Sequence, residues 1–169
     1  MRQTTYLSFV RDSSTSQVLK DWWKSLDDNR GDRAVLRRCR TPFDVALTPA
    51  FHRLREGLRE LGRVNDEALA IVAGLASHVK EDLATADFAS QMASPKAAGR
   101  NAAVSGLRFR RLLKIEDRQE LFAALVRTIR LLGGAVNLCS LADSAYWWNE
   151  NARKRWASAY YETAPPGEK

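Results

Sequence analysis

Apolar residues recur along this chain at three- and four-residue intervals, and alternation of period two never persists. That texture predicts helices almost throughout. A capping box over Ser14–Gln17 opens a first helix to about Asp27. Asn29-Arg30-Gly31 reads as a turn, and a short helix from Asp32 to about Cys39 closes at Thr41-Pro42. Thr48-Pro49 supplies a cap and then a proline at the first helical position, for a helix to about Leu61 that Gly62 ends. Asn65 caps the next helix, with Leu69, Val72, Ala73, Ala76 and Val79 as its apolar stripe.

Between Leu83 and Ser105 the pattern fades into alanine and serine, with Pro95 and Gly99. This stretch reads as an interdomain connection or a mobile loop. Helical spacing resumes over Val104–Lys114, with Phe109, Leu112 and Leu113 inward. Asp117 and Glu120 fit the N-cap and N3 positions of a further helix. Its core face is Leu121, Phe122, Leu125, Val126, Ile129 and Leu132, and Gly133-Gly134 stops it. Two more helices fit Asn137 to about Asn149 and Glu150 to about Tyr161, before a frayed tail, TAPPGEK. The expected fold is all-α, as two small helical bundles. Residues 1–85 form the N-terminal one, 86–105 the Ala/Ser-rich connection, and 106–169 the C-terminal one.

Charge sharpens this picture. Residues Arg30 to Arg40 carry five arginines against Asp32, a local charge of +4. Residues Arg100 to Arg130 carry eight basic side chains against Glu116, Asp117 and Glu120, a local +5. The chain totals +7, so everything else sums to −2. Cations concentrated on ordered helices are the footprint of a polyphosphate partner. Arg33, Arg37 and Arg40 share one helix face at i, i+4, i+7, with Val35, Leu36 and Cys39 on another. The alternative is a solvated face paired with Asp27, Asp28 or Asp44. Arg108 and Arg111 lie three apart, Arg110 and Lys114 four apart. Gln119, Ala123, Arg127 and Arg130 form the polar stripe of the following helix.

Other chemistry is missing from the pattern. His52 and His78 are isolated, so no metal site is expected. No glycine-rich phosphate loop, Ser/His/Asp set or Cys/His nucleophile set is present, so neither enzymatic activity nor a cofactor is expected. No apolar run of about 18 residues exists to span a membrane. The start, MRQTTYLSFVRD, lacks a signal-peptide core, which points to the cytoplasm. Cys39 and Cys139, with no partner spacing, read as buried reduced thiols. Trp22, Trp148 and Trp156 read as core. Trp23 and Trp147, one member of each of two Trp pairs, read as interface residues between domains or subunits.

Four segments in collinear order carry a resemblance. RGDRAVLRR (Arg30 to Arg38), LRFRRLL (Leu107 to Leu113), RTIRLLGGAVNLCSLADSAYWW (Arg127 to Trp148) and RWASAYY (Arg155 to Tyr161) resemble the CasB family. CasB is the small subunit of the type I-E CRISPR Cascade complex. The alanine-rich stretch Ala84 to Ala103 matches no firm family pattern.

The resemblance implies a non-catalytic subunit of an RNA-guided surveillance complex, in antiviral defence. Its implied partners are the backbone and large Cascade subunits, a second copy of itself, the guide RNA–target DNA heteroduplex and the displaced DNA strand. It implies backbone contacts that stabilise the R-loop without reading sequence. The contacts are expected from Arg33, Arg37, Arg38, Arg108, Arg110, Arg111, Arg127 and Arg130. Two alternatives are a purely structural protein-interaction subunit of the same kind of assembly and a freestanding helical nucleic-acid-binding regulator.

Overall fold

Short polar side chains decide where the helices begin. The structure, a computed structural model, describes residues 5–96 and 99–169. Among them run ten α-helices: α1 (Ser14–Asp28), α2 (Arg30–Arg38), α3 (Pro42–Ala46), α4 (Pro49–Arg59), α5 (Asp66–His78), α6 (Phe88–Ala93), α7 (Gly106–Leu113), α8 (Arg118–Leu131), α9 (Leu138–Tyr146) and α10 (Glu150–Thr163). Two-residue strands follow α5 and α8: β1 (Glu81–Asp82) and β2 (Ala135–Val136). Every helix except α2 opens on a Ser, Thr, Asn or Asp whose side chain accepts a backbone N–H of the first turn.

The mainly α class is as the sequence predicts, with several shifts. The cap of α1 is Ser13, not Ser14, and its hydroxyl accepts from Ser16 N at 3.0 Å. Gly31 lies inside α2 rather than in a turn, because Asn29 alone links α1 to α2 and its carbonyl already accepts from Arg33 N. Thr41-Pro42 both ends one helix and starts another. Pro42 takes the first position of α3, and Thr41 and Asp44 form a reciprocal capping box.

Helix α5 is the axis of the molecule. Every residue from Ala68 to His78 is buried, which explains why its sequence shows only a weak stripe. It packs against α1, α2, α3 and α4 from the first half of the chain and against α8 and α9 from the second. The buried residues form one hydrophobic cluster that includes members from Leu7 to Ala164.

The Ala/Ser-rich stretch is not a featureless connection. Phe88 and Met92, one helical turn apart, turn residues 88–93 into α6, and its alanines let it lie closely against α10. Residues 97 and 98 of that stretch lie outside the described residues. The tail is also ordered. Pro166–Glu168 makes a short 3-10 turn, and Glu168 Oε2 accepts from Gly106 N at 2.7 Å at the start of α7.

Trp23 corrects the interface expectation. Both Trp22 and Trp23 are buried, because α1 has packing partners on two sides. Trp22 Nε1 donates to Ala50 O of α4 at 2.9 Å, and Trp23 Nε1 donates to Val79 O beyond α5 at 3.1 Å. Trp147 is half-buried; its Nε1 donates to Leu7 O at 2.8 Å and its ring meets Tyr6 edge-on, tying the N-terminal segment to α9. Trp22 and Trp156 are core residues, and Trp148 is half-buried. Cys139 is buried, Cys39 only half-buried, and both thiols are free.

One small device positions the functional surface. β1 and β2 pair in parallel, Glu81 against Ala135 and Asp82 against Val136. Gly133 and Gly134, with φ of 72° and 80°, end α8 in the left-handed region that glycine tolerates. Gly134 O then accepts from Lys80 N at 2.8 Å and from Glu81 N at 3.2 Å. This clamp holds the C-terminal ends of α5 and α8 side by side.

Candidate nucleic-acid interface

The arginines of α2 divide into an inner and an outer set. Arg33 is 9% exposed and Leu36 is fully buried, whereas Val35 is 41% exposed. The helix is thus rotated by about one position from the face expected, and Arg33 occupies the inner row beside Leu36. Its Nη1 donates to Val79 O at 3.1 Å, and its Nη2 donates to Trp23 O at 3.2 Å and to Asp27 Oδ1 at 2.9 Å. The guanidinium lies 5.9 Å from the centre of the Trp23 ring. Burial, and secondarily the charge of Arg37, holds its pKa below the ordinary arginine value, against the pull of Asp27. Arg33 is thereby committed inside the fold, which corrects its expected place among the strand contacts.

Arg37 and Arg38 remain exposed. With Arg30, Arg33 and the Asp27 carboxylate they line a shallow hollow of about 630 Å³ between the end of α1 and α2. Arg37 Nε donates to Ser77 O at 2.7 Å, which aims the guanidinium at the end of α5. There a second hollow, of about 410 Å³, is lined by Arg37, His78, Lys80, Arg130 and the Gly133-Gly134 turn. His78 is buried, and its pKa is pushed down to about 4 by desolvation, with Arg130 and Arg37 adding to the effect. It stands neutral between two fixed cations.

Arg130 also borders the third and largest space, a groove of about 770 Å³ between α7 and α8. Arg108 and Arg111 come from α7, Arg127 and Arg130 from α8, and Lys96 from the segment before α7. Among the described residues, Glu120 is the one carboxylate on the groove wall. Among the described residues, Arg37, Arg38, Arg108, Arg111, Arg127 and Arg130 have no ion-pair partner. The nearby acids are engaged elsewhere: Asp32 with Arg53, Glu116 with Arg153 at 3.8 Å, and Asp44 in its capping box.

The two charge clusters, 70 or more residues apart in sequence, therefore meet. Arg37 lines both the first and second hollows, and Arg130 both the second and the groove. Seven of the eight expected residues border this run, Arg33 only as a largely buried wall of the α2 hollow. Arg110 does not line the groove. A Cβ at Gly106 would meet Arg110 Nη1 at 3.1 Å, beside the Glu168 turn. Sequence reasoning missed Lys80, Lys96 and His78. His78 looked isolated because its charged neighbours are distant along the chain, and only the β1–β2 clamp brings them in. Among the described residues no cluster of three metal-ligating side chains occurs, and no helix is long and apolar enough to cross a membrane.

Residues 32–161 match the protein-family model described as CRISPR-associated protein Cse2. The chain belongs to the Cse2 family. Its fold is shared with a chain in the crystal structure of E. coli Cascade bound to a PAM-containing dsDNA target, at 20% identity and a TM-score of 0.69. That likeness covers 87% of this chain and 94% of the other. CasB from Thermus thermophilus has the same fold at 24% identity and a TM-score of 0.63, covering 89% and 99% of the two chains. No curated protein matches the chain. The Cse2 match contains α3 to α9 whole, both strands and the α7–α8 groove.

Proposed function

We propose that this chain is a non-catalytic, cytoplasmic subunit of a Cascade-type surveillance complex that holds nucleic-acid backbone along its arginine run. One observation carries the reading: Arg37 and Arg130 join the α2 hollow to the α7–α8 groove, and among the described residues neither has an ion-pair partner. Membership of the Cse2 family supports it, as does a shared fold with a chain of a complex described as bound to double-stranded DNA. The strands met are the displaced DNA strand and the target strand paired with guide RNA. Phosphate contacts position a strand without reading its bases, which suits a machine whose specificity comes from base pairing. Opening a duplex against a guide is close to energetically balanced, so a few kcal/mol of backbone contact decides how long the open state lasts.

The test is the double charge reversal Arg108→Glu with Arg111→Glu in the assembled complex. The R-loop should dissociate faster while the set of targeted sequences stays unchanged. Unaltered dissociation at low salt would remove these two residues from the contact surface. A docking role among other subunits, including a second copy, is favoured for a different face, where Phe43 and Leu47 are 71% and 67% exposed. Polar substitution there should weaken assembly rather than strand retention.

A further inference from the structure

The α7–α8 groove has a feature that phosphate contacts do not require. Its floor is aliphatic, built from Val104, Leu112 and Ile115. Phosphate gains nothing from hydrocarbon. The floor is also held open by two hydrogen bonds from outside the groove. Tyr160 Oη donates to Val104 O at 2.6 Å, and Trp148 Nε1 donates to Ile115 O at 2.7 Å. Burial, with Glu168 and Tyr161 nearby, pushes the Tyr160 phenol up to about 12, so it keeps its donor proton. Phe109 stacks on the same ring at 3.9 Å between centroids and fixes α7 from behind. The hollow is therefore preformed rather than a gap awaiting collapse.

An apolar floor under an arginine rim matches a ligand with one apolar face and a flanking anion on each side. We propose that this groove seats an unpaired nucleobase, with the neighbouring phosphates held by Arg108 and Arg111 on one lip and Arg127 and Arg130 on the other. The proposal rests on reading the arginine run as a strand-binding surface and adds a preference to it. Bases inside a duplex are stacked and paired and cannot reach the floor; those of a displaced strand can. Aliphatic and guanidinium surfaces accept the face of any base, so the site favours single strands without favouring a sequence. An acidic amphipathic peptide offers similar chemistry. Continuity of the groove with the α2 hollow through Arg130 and Arg37 favours a long polyanion instead.

The experiment compares two probes on the full chain at low salt: a short oligothymidylate and an abasic oligomer of equal length and charge. The oligothymidylate should bind about tenfold tighter. Ala124→Phe fills the groove from its half-buried wall and should erase that difference while leaving abasic affinity unchanged. Leu131→Asn, at the half-buried edge of the floor, provides the same readout should the first variant melt early. Equal binding of both probes by the wild-type chain overturns the base site and leaves the arginine run intact. Failure of both probes to bind overturns the strand-binding reading itself. A preference that survives both variants shows that the base lies elsewhere, and the peptide-docking alternative then takes the groove.

Discussion

Arg33 and Arg38 stand on one short helix with the same chemistry and opposite accessibility, and substituting each with alanine separates folding from binding. Arg33 gives two hydrogen bonds to carbonyls inside the fold and one to Asp27, whose side chain is 72% exposed. A bond from a charged donor contributes about 1.5 kcal/mol, and the Asp27 pair, facing water, well under about 1 kcal/mol. Buried stem methylenes add to this. Arg33 Nε, buried without a partner, subtracts from it. Arg33→Ala should cost about 3 kcal/mol. For a chain of this size each kcal/mol lowers Tm by about 2–4 °C, so the variant should melt about 6–12 °C early. Arg38 is exposed and has no ion-pair partner among the described residues, so Arg38→Ala should stay within about 0.5 kcal/mol of the parent. For binding the order reverses. At a temperature where both are folded, Arg38→Ala should flatten the salt dependence of single-strand binding by about 0.7 in log–log slope, and Arg33→Ala should leave that slope alone. The assays are thermal melts followed by dye-labelled oligonucleotide titrations at several salt concentrations. An Arg33→Ala variant that melts with the parent and loses a unit of slope would refute the division drawn here.

The other predictions are quicker to state. His78 has a folded pKa of about 4, below the ordinary 6.5, so the unfolded chain takes up the proton first. Its contribution is thus fully present above pH 6.5 and lost as pH falls toward 4; a screened loss of about 2 kcal/mol should appear in urea titrations and vanish in His78→Gln. A Cβ at Gly74 would sit 2.5 Å from a Phe122 ring carbon and 3.0 Å from Val45 Cγ2. Gly74→Ala should therefore destabilise by about 1–2 kcal/mol despite better helix propensity, whereas Gly31→Ala, with nothing within 4 Å, should stabilise by about 0.5–1 kcal/mol. Glu168→Ala removes the acceptor of Gly106 N and should cost about 1 kcal/mol by chemical denaturation, with strand affinity unchanged.

Helix positions were legible wherever a cap and a periodic face agreed. Thr48, Asn65 and Asp117 all act as the caps the sequence marks. Legibility failed where the determinant was long-range. Phe88 and Met92 are two apolar residues among alanines and serines, too few to signal a helix. What makes α6 is the surface of α10, more than 50 residues later. The tail looked frayed because Glu168 finds its partner 62 residues back, at Gly106. The same limit applied to Trp23. A helix with one buried face must expose one of two adjacent tryptophans, but α1 is covered on two sides, by α4 and by the end of α5.

For the candidate interface, charge density marked the two segments that the fold brings together and could not rank the residues within them. Arg33 and Arg37 sit one turn apart and look equivalent in sequence. One closes over the fold and the other projects from it, because Val79 O and Trp23 O offer acceptors only at the inner position. The run itself exists because of a part that carries no charge. Without Gly133 and Gly134 in the left-handed region, Gly134 O could not take Lys80 N and Glu81 N, and α8 would not end beside α5. A β-branched residue at position 134 would both strain that turn and drive a Cβ into the Lys80 side chain. Gly134→Val should accordingly separate Arg130 from Arg37 and split the run in two. Under the proposed function, affinity for long single strands would then fall more than affinity for strands short enough to lie in the α7–α8 groove alone. Equal losses at both lengths would mean that the α2 arginines never acted with those of α8.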